Sequence, residues 1–455
     1  MKTILFRADS SSNIGTGHIK RDLVLAKKYE KKSYKVIFAS LDLIGNINHE
    51  ILSNGYKLMI LKSNSKKELI NLIKKIEVDI LVFDNYNINN KFEKYIKDKT
   101  KVKILSFDDT YQKHYCDILI NHNIGANKEK YKKLLPKNCK IKCGTKYTLL
   151  RDEFKKEKNK IYKSNKKFTF FIAMGGADTQ NLNIKILKIL SSFNNIKINI
   201  ITTSANINLT SLKEYCYKKK YISLYINSNK IAKIMKKSNF AIITPSVILN
   251  EVYFMNLPFL AIKTASNQQY LYKYLKNNKY QVLKKYSNEL FYIKINNVLN
   301  NIILKNFINL NNSEMSMILR WRNHINIRKW MFNKDIITID SHINFINTLD
   351  KNKEKKYFLV QHNENNIGII NFSNIKKDTL EIGIYSNPDI SKVGDILLNE
   401  IIKYSITILK IKYIYAEVYS NNFSAIKLYK RFNFREVNVK KNIIYMEYKN
   451  ENRKF

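Results

Sequence analysis

The stretch ADSSSNIGTGHIKRD, residues 8–22, leaves an apolar run, crosses small polar residues and opens a helix at Gly15-Thr16-Gly17. Glycines at such a point let a backbone approach a ligand closely. The free N–H groups of a helix N-terminus favour phosphate or pyrophosphate. His18 stands at that mouth, and an imidazole titrating near neutrality suits a general base. Arg21, in the same string, is a substrate-binding candidate. A second glycine turn, Gly175-Gly176, ends the run KFTFFIAMGG and can cradle phosphate through backbone amides. Further on, TPSVILNEV begins a helix in which Ser246 is a phosphate-contacting cap candidate.

Other reactive types are less organised. Cys139 and Cys143 are four apart, but no second pair or His cluster completes a zinc set, so no metal is expected. Asp108-Asp109 close an apolar run and read as a turn-stabilising pair rather than a cation site.

These residues need elements to hold them. KTILFRA, YKVIFAS, DILVFDN and VKILSFDD read as strands, with helical stretches such as KKELINLIKKI between them. Strands alternating with helices imply a parallel, doubly wound sheet. The pattern restarts at KFTFFIAMGG and continues through KINIITTS, YISLYIN and FAIITPS. Two Rossmann-like lobes are therefore expected, residues 1–150 and 151–285, with the split near 151–166. Residues 286–305 read as a helix and connector. From 306 to 455 the order changes to strand, strand, helix, strand, helix, an α+β domain of a usual size.

Length and charge bound the function. The chain has 455 residues, 45% hydrophobic and 12% aromatic, enough to bury several cores and too apolar for a disordered protein. Four cysteines exclude a disulfide scaffold, and 11 Gly with 4 Pro exclude collagen-like or Pro-rich architectures. The formal charge is +44, from 81 Lys and Arg against 37 Asp and Glu. Most of the excess is Lys spread along the chain, beside abundant Asn and Ile, which fits a coding bias better than a nucleic-acid surface. No signal peptide or membrane span is expected, so the protein reads as cytoplasmic with reduced thiols.

The string Arg7–Asp22 closely resembles the entry motif of the nucleotide-sugar hydrolases of pseudaminic acid biosynthesis. ILVFDNYNI (80–88), ILSFDD (104–109) with CDILIN (116–121), KCGTKYTLLRDEF (142–154) and FIAMGGADTQN (171–181) resemble further segments of that family. The resemblance spans about residues 1–285. It implies a glycosyltransferase-B type fold and metal-independent, inverting release of UDP from UDP-2,4-diacetamido-2,4,6-trideoxy-β-L-altropyranose. By the same resemblance His18 is the base, and Asp84, Asn85, Tyr86 and Asn121 lie on the sugar side. Asn250 and Glu251 match the position where a carboxylate holds ribose hydroxyls. Asn267 and Gln268 resemble the sugar-contacting Asn-Gln turn. Together with Gly15, Gly17, Arg21, Gly175, Gly176 and Ser246, these make up the expected substrate site.

The last domain resembles the GCN5-related N-acetyltransferases through residues 380–402 and, more specifically, EVYSNNFSAIKLYKRFNF (417–434). Asn422, Ala425, Leu428, Tyr429 and Phe434 match the superfamily string, and Asn433 stands where Gly is usual. Asn tolerates the left-handed conformation expected there. Of the pyrophosphate loop only Gly394 matches, while Lys392 occupies the earlier glycine position. The resemblance implies acetyl-CoA as co-substrate, pantetheine pairing with strand residues around Ile382 and Ile384, and amides of Lys392, Val393, Gly394 and Asp395 facing the pyrophosphate, with Asn422 nearby. It also implies Tyr429 as the acid for the departing thiolate, with Glu381 or Glu417 relaying the amine proton. MSMILRWRNHINIRKWMFN (315–333) resembles the acetyltransferase of the same pathway, which makes Trp321 and Arg322 substrate-contact candidates.

The fold expected is thus α/β: two Rossmann-like lobes of glycosyltransferase-B type followed by an α+β GCN5-related N-acetyltransferase domain. Small-molecule UDP-sugars are the expected partners, with neither nucleic acid nor membrane, and oligomeric state stays open. A glycosyltransferase of the same fold and a basic nucleic-acid-binding protein are the competing classes. Free sugar formed without an acceptor separates the first, and salt-sensitive nucleic-acid binding the second.

Overall fold

The computed structural model describes residues 1–163 and 166–451. Ser164 and Asn165, inside the stretch read as the lobe boundary, lie outside the described residues, as do residues 452–455 at the end of the last domain. The chain divides into two compact units, the first built on residues 1–188 and 193–286 and the second on residues 189–192 and from Ser287 onward.

The first unit holds two parallel sheets. The first sheet comprises β1 (Thr3–Ala8), β2 (Lys35–Leu41), β3 (Lys57–Leu61), β4 (Ile80–Asp84), β5 (Lys103–Phe107), β6 (Ile118–Asn121) and β7 (Lys140–Cys143), in the order β3-β2-β1-β4-β5-β6-β7. The second comprises β8 (Phe168–Ala173), β9 (Ile196–Thr202), β10 (Ile222–Ile226), β11 (Phe240–Ile243), β12 (Phe259–Ile262) and β13 (Gln281–Leu283), in the order β10-β9-β8-β11-β12-β13. Every residue of TILFRA in β1 is buried, as a central strand covered on both faces requires. In each sheet the strand order reverses beside the first strand, between β1 and β4 and between β8 and β11. Ligands of doubly wound sheets sit at such switch points, beyond the carboxyl ends of the strands. Both glycine turns follow the first strand of their sheet.

The second unit is built on a sheet of β14 (Ile302–Asn306), β15 (Lys356–His362), β16 (Asn365–Ser373), β17 (Thr379–Ser386), β18 (Tyr413–Tyr419), β19 (Arg435–Lys440) and β20 (Ile443–Lys449). Its order is β14-β15-β16-β17-β18-β20-β19, antiparallel except for β17 and β18. Residues 286–305, read as a helix and connector, form the helix Asn288–Asn300 and, in place of the connector, the edge strand β14. The reason is an apolar face: Phe291, Tyr292 and Ile295 are fully buried. Asn296 Nδ2 donates to Glu400 Oε2 at 2.6 Å and Tyr404 OH to Glu289 Oε1 at 2.6 Å, tying this helix to the one at Gly394–Tyr404. Among the described residues no helix is long and apolar enough to cross a membrane.

Candidate active sites

The switch points of the two lobes line one cavity of about 740 Å³ within the first unit, a size that suits a nucleotide sugar. The two glycine turns share a division of labour. Gly15 and Gly175 have φ of +85° and +86° with open space around them, so the torsion demands glycine. Gly17 and Gly176 are needed for space. A Cβ on Gly17 would lie 3.2 Å from Val247 Cγ2, and one on Gly176 3.0 Å from Thr203 Oγ1. Val247 opens the helix Val247–Phe254 of the other lobe, so glycine lets the two helix N-termini converge.

His18 begins the first turn of the helix Gly17–Glu30 and is buried. Its Nδ1 lies 3.6 Å from Asp84 Oδ1, and its ring meets Tyr86 edge-on at 4.9 Å. Burial lowers its pKa, partly offset by Asp84, so the free base is the resting form. Arg21 Nε donates to Asp84 Oδ2 at 2.5 Å while Nη2 bonds Oδ1, a fork-to-fork pair. Burial works against the charge on Asp84, but Arg21 and then His18 outweigh it and hold the carboxylate below its usual range. Tyr86 OH donates to Asp109 at 2.9 Å and receives Asn267 Nδ2 of the other lobe at 3.2 Å. Burial raises the pKa of Asp109 despite Arg21. A second buried pair, Arg7 with Asp9 at 2.6 Å, stands behind Asn85, whose Nδ2 donates to Asp9 Oδ2 at 2.7 Å. On the opposite wall Arg151 Nη2 donates to Glu251 Oε1 at 3.0 Å, and burial still pushes the Glu251 carboxyl up.

In the second unit β17 pairs with β18 only from Thr379↔Tyr413 to Glu381↔Tyr415. Beyond Glu381, β17 keeps its pairing to β16 through Ser386, so its other edge offers unpaired main-chain groups from Ile382 onward. Lys392 takes φ of +62° and turns the chain into the helix Gly394–Tyr404. A Cβ on Gly394 would sit 3.0 Å from Leu428 Cδ2 of the helix Phe423–Arg431. Tyr429 is buried on that helix, its ring 5.1 Å from Phe434, and burial alone raises its phenol.

Over 283 residues the chain is 43% identical to the UDP-2,4-diacetamido-2,4,6-trideoxy-beta-L-altropyranose hydrolase of Campylobacter jejuni, which covers 62% of this chain and 99% of that protein. The chain belongs to that hydrolase family. Its remainder carries a second membership. The acetyltransferase (GNAT) family matches residues 319–434. Over 145 residues the chain is 41% identical to acetyltransferase PseH of the same organism, covering 32% of this chain and 92% of that protein. A solved structure of that acetyltransferase in complex with acetyl coenzyme A is 37% identical, covers 32% of this chain and 98% of its own, and has a TM-score of 0.29. The chain is therefore a fusion of a hydrolase and an acetyltransferase.

The hydrolase cavity gathers most of the expected residues: Gly15, Gly17, His18, Arg21, Asn85 and Tyr86 from one lobe, and Gly175, Gly176, Ser246, Glu251, Asn267 and Gln268 from the other. Three are corrections. Asp84 does not line the cavity; it lies behind His18 and Arg21 and orients them. Asn121 is buried and donates to Tyr131 OH at 3.0 Å. Asn250 staples the lobes, accepting from Ile124 N at 3.1 Å and donating to Asn123 Oδ1 at 2.8 Å. Gln268 reaches the rim, but its Oε1 accepts from Thr264 N at 2.7 Å and so holds its own turn. Asp9, Asp109 and Arg151 line the cavity without having been singled out for it. Asp9 and Asp109 had a signal, since both follow the carboxyl ends of parallel strands. Of the Asp108-Asp109 pair only Asp108 holds its turn, accepting from Thr110 N at 2.9 Å.

In the acetyltransferase unit the candidate residues stand in different settings. Trp321 is buried in a core with Phe307, Ile318, Ile346 and Leu359, because its helix must cover the sheet. Arg322 donates to Asn333 O at 2.7 Å and keeps a buried Nη1 without a partner among the described residues. The Asn422 side chain caps its helix, accepting from Ala425 N at 3.2 Å, which accounts for the Asn-x-x-Ala spacing. The Asp395 side chain pairs with Arg431, leaving only its amide to face a phosphate. Asn433 has φ of +63°, the left-handed residue expected where Gly is usual. Among the described residues no group of three or more His, Cys, Asp or Glu could hold a metal ion.

Proposed function

We propose that the chain carries out two consecutive steps on one nucleotide sugar in pseudaminic acid biosynthesis. The second unit acetylates the 4-amino group of UDP-4-amino-4,6-dideoxy-N-acetyl-β-L-altrosamine. The first hydrolyses the product, UDP-2,4-diacetamido-2,4,6-trideoxy-β-L-altropyranose, with inversion. The observation that carries this reading is His18, a buried free base backed by Asp84 and facing a cavity at the switch points of both lobes.

In the hydrolytic step His18 accepts a proton from the water that attacks the anomeric carbon. The C1–O bond breaks on the opposite face and UDP leaves. Asp84 stabilises the imidazolium that forms. The turns at Gly15–Gly17 and Gly175-Gly176 offer amides to the pyrophosphate, and Glu251, held by Arg151, meets the ribose hydroxyls. Positioning of this kind supplies several kcal/mol, and a placed base about 10²–10⁴-fold.

In the acetylation step acetyl-CoA supplies an activated thioester. The open edge of β17 from Ile382, including Ile384, accommodates an extended pantetheine arm. The amides of Lys392, Val393, Gly394 and Asp395 face its pyrophosphate at a helix N-terminus. Tyr429 donates its proton to the thiolate as the C–S bond breaks and the C–N bond forms. Glu381 or Glu417, the second raised by burial and then by the charge of the first, relays the amine proton through water. This reading assigns the protein to the cytoplasm.

The test is incubation of the whole protein with acetyl-CoA and the 4-amino UDP-sugar, followed by mass spectrometry and NMR. Release of CoA, then UDP and free diacetamido sugar, is expected. An acetylated UDP-sugar that persists would sink the hydrolytic reading and point to a transferase lacking its acceptor.

A further inference from the structure

Asp22 stands on the helix that carries His18 and Arg21, fully buried, and neither carboxyl oxygen accepts from a donor among the described residues. Its carboxyl is nevertheless within hydrogen-bond reach of Asp84. Two carboxylates have only acceptors to offer each other, so contact between them calls for a proton. A buried charge without a donor is costly, and the group neutralises instead.

We propose that Asp22 and Asp84 form a carboxylic acid–carboxylate pair, with the proton on Asp22, and that Asp22 is a positioning residue holding Asp84 as the single negative charge behind His18. The inference rests on the hydrolytic reading above. Asp84 must be the ionised member, because Arg21 grips both of its oxygens and His18 lies 3.6 Å from Oδ1. Burial and the Asp84 charge both raise the Asp22 carboxyl. The other groups around the pair are Arg21 and His18 on the same helix, Asp109 after β5 and His122 after β6. Burial pushes His122 down to about 3, so it is neutral. With the proton on Asp22, the Arg21 charge answers that of Asp84, while burial raises the neighbouring Asp109. Asp84 is the carboxylate against which His18 becomes imidazolium when it takes the proton from water, so its charge is in place before the transition state.

The test combines infrared spectroscopy of the full chain, labelled with ¹³C-aspartate, with the pH dependence of kcat/KM for UDP release. A protonated carboxyl band that moves with the label and persists through neutral pH is expected, lost in Asp22→Asn. The variant keeps a neutral donor beside Asp84, so the acid limb of its kcat/KM profile should coincide with that of the wild type. Were Asp22 ionised, the same change would delete a negative charge beside His18 and move the limb down by about one pH unit or more. Absence of a labelled acid band, its survival in Asp22→Asn, or an acid-shifted limb would each overturn the pair. If Asp22→Asn does not fold, Asp109→Asn serves: the band must survive there, and its loss overturns the assignment. A wild type that releases no UDP from the UDP-sugar defeats the hydrolytic reading, while the band still decides the pair.

Discussion

The glycine turn of the hydrolase unit and the loop before Gly394 in the acetyltransferase unit meet the same two demands with different residues. Each needs one residue in the left-handed region and one with no side chain where a helix packs close. The hydrolase turn uses glycine twice, Gly15 for the torsion and Gly17 for the approach of Val247. The acetyltransferase loop keeps glycine only where space requires it, at Gly394 against Leu428, and puts Lys392 in the left-handed position. A torsional demand costs an L-residue roughly 1–2 kcal/mol and can be tolerated. A Cβ within about 3 Å of packed atoms has nowhere to go. The departure at Lys392 therefore leaves the backbone path of the loop intact.

Several experiments would break or sharpen that comparison. The largest effect is expected at His18. His18→Ala should lower UDP release by about 10²–10⁴-fold while CoA release from the other unit stays at the wild-type rate, measured in parallel assays. Loss of both activities would show that the units are not separable in function. Tyr429→Phe should slow acetylation by roughly 10²-fold. It should leave UDP release from the pre-acetylated sugar unchanged, which mass spectrometry of each product can follow.

A third prediction concerns pH and the first unit alone. His114 Nδ1 lies 2.8 Å from Glu93 Oε1. Burial opposes its charge, but the carboxylates of Asp108 and Glu93 outweigh this and raise it to about 9. A folded value above the unfolded one near 6.5 contributes stability that is complete below about pH 6.5 and is lost as pH rises through about 9. The unfolding free energy of the first unit, read from denaturant transitions, should fall across that window by an amount on the order of 3 kcal/mol, and the fall should vanish in His114→Gln.

The smallest effects test the turns themselves. Gly15→Ala should destabilise by about 1–2 kcal/mol through torsion alone. Gly17→Ala should instead act on the lobes' approach, raising the KM for the UDP-sugar more than it lowers the melting temperature. Lys392→Gly should stabilise the second unit by about 0.5 kcal/mol, the relief of the left-handed cost less the extra chain entropy of glycine. An unchanged or lower melting temperature would mean that the Lys392 side chain contributes packing or charge that the torsional comparison ignores.

Much of this protein was legible in local sequence. The alternation of apolar runs with helical spacing was enough for two doubly wound lobes, because period and burial are properties of single segments. Both glycine turns, His18 and Tyr429 were also visible, since each lies within a short string whose conformation is locally determined. The helix Asn288–Asn300 was visible as an element, yet the strand β14 and the membership of both in the second unit were not. That depended on which core would take Phe291 and Tyr292, and on Glu400, more than a hundred residues away, reaching Asn296. The fate of polar side chains was likewise set only by the tertiary structure. Asn250 became a staple between lobes while Asn267, of the same type, reached the cavity. Asp84 became the charge behind His18 and Asp109 part of the cavity wall, because the order of strands brings the ends of β1, β4 and β5 together. Sequence by itself determined the elements and the turns, whose energies are short-ranged. Only the folded chain decided which buried charges are paired, which carboxyl keeps a proton and which amides face a ligand, because those energies depend on neighbours the sequence places far apart.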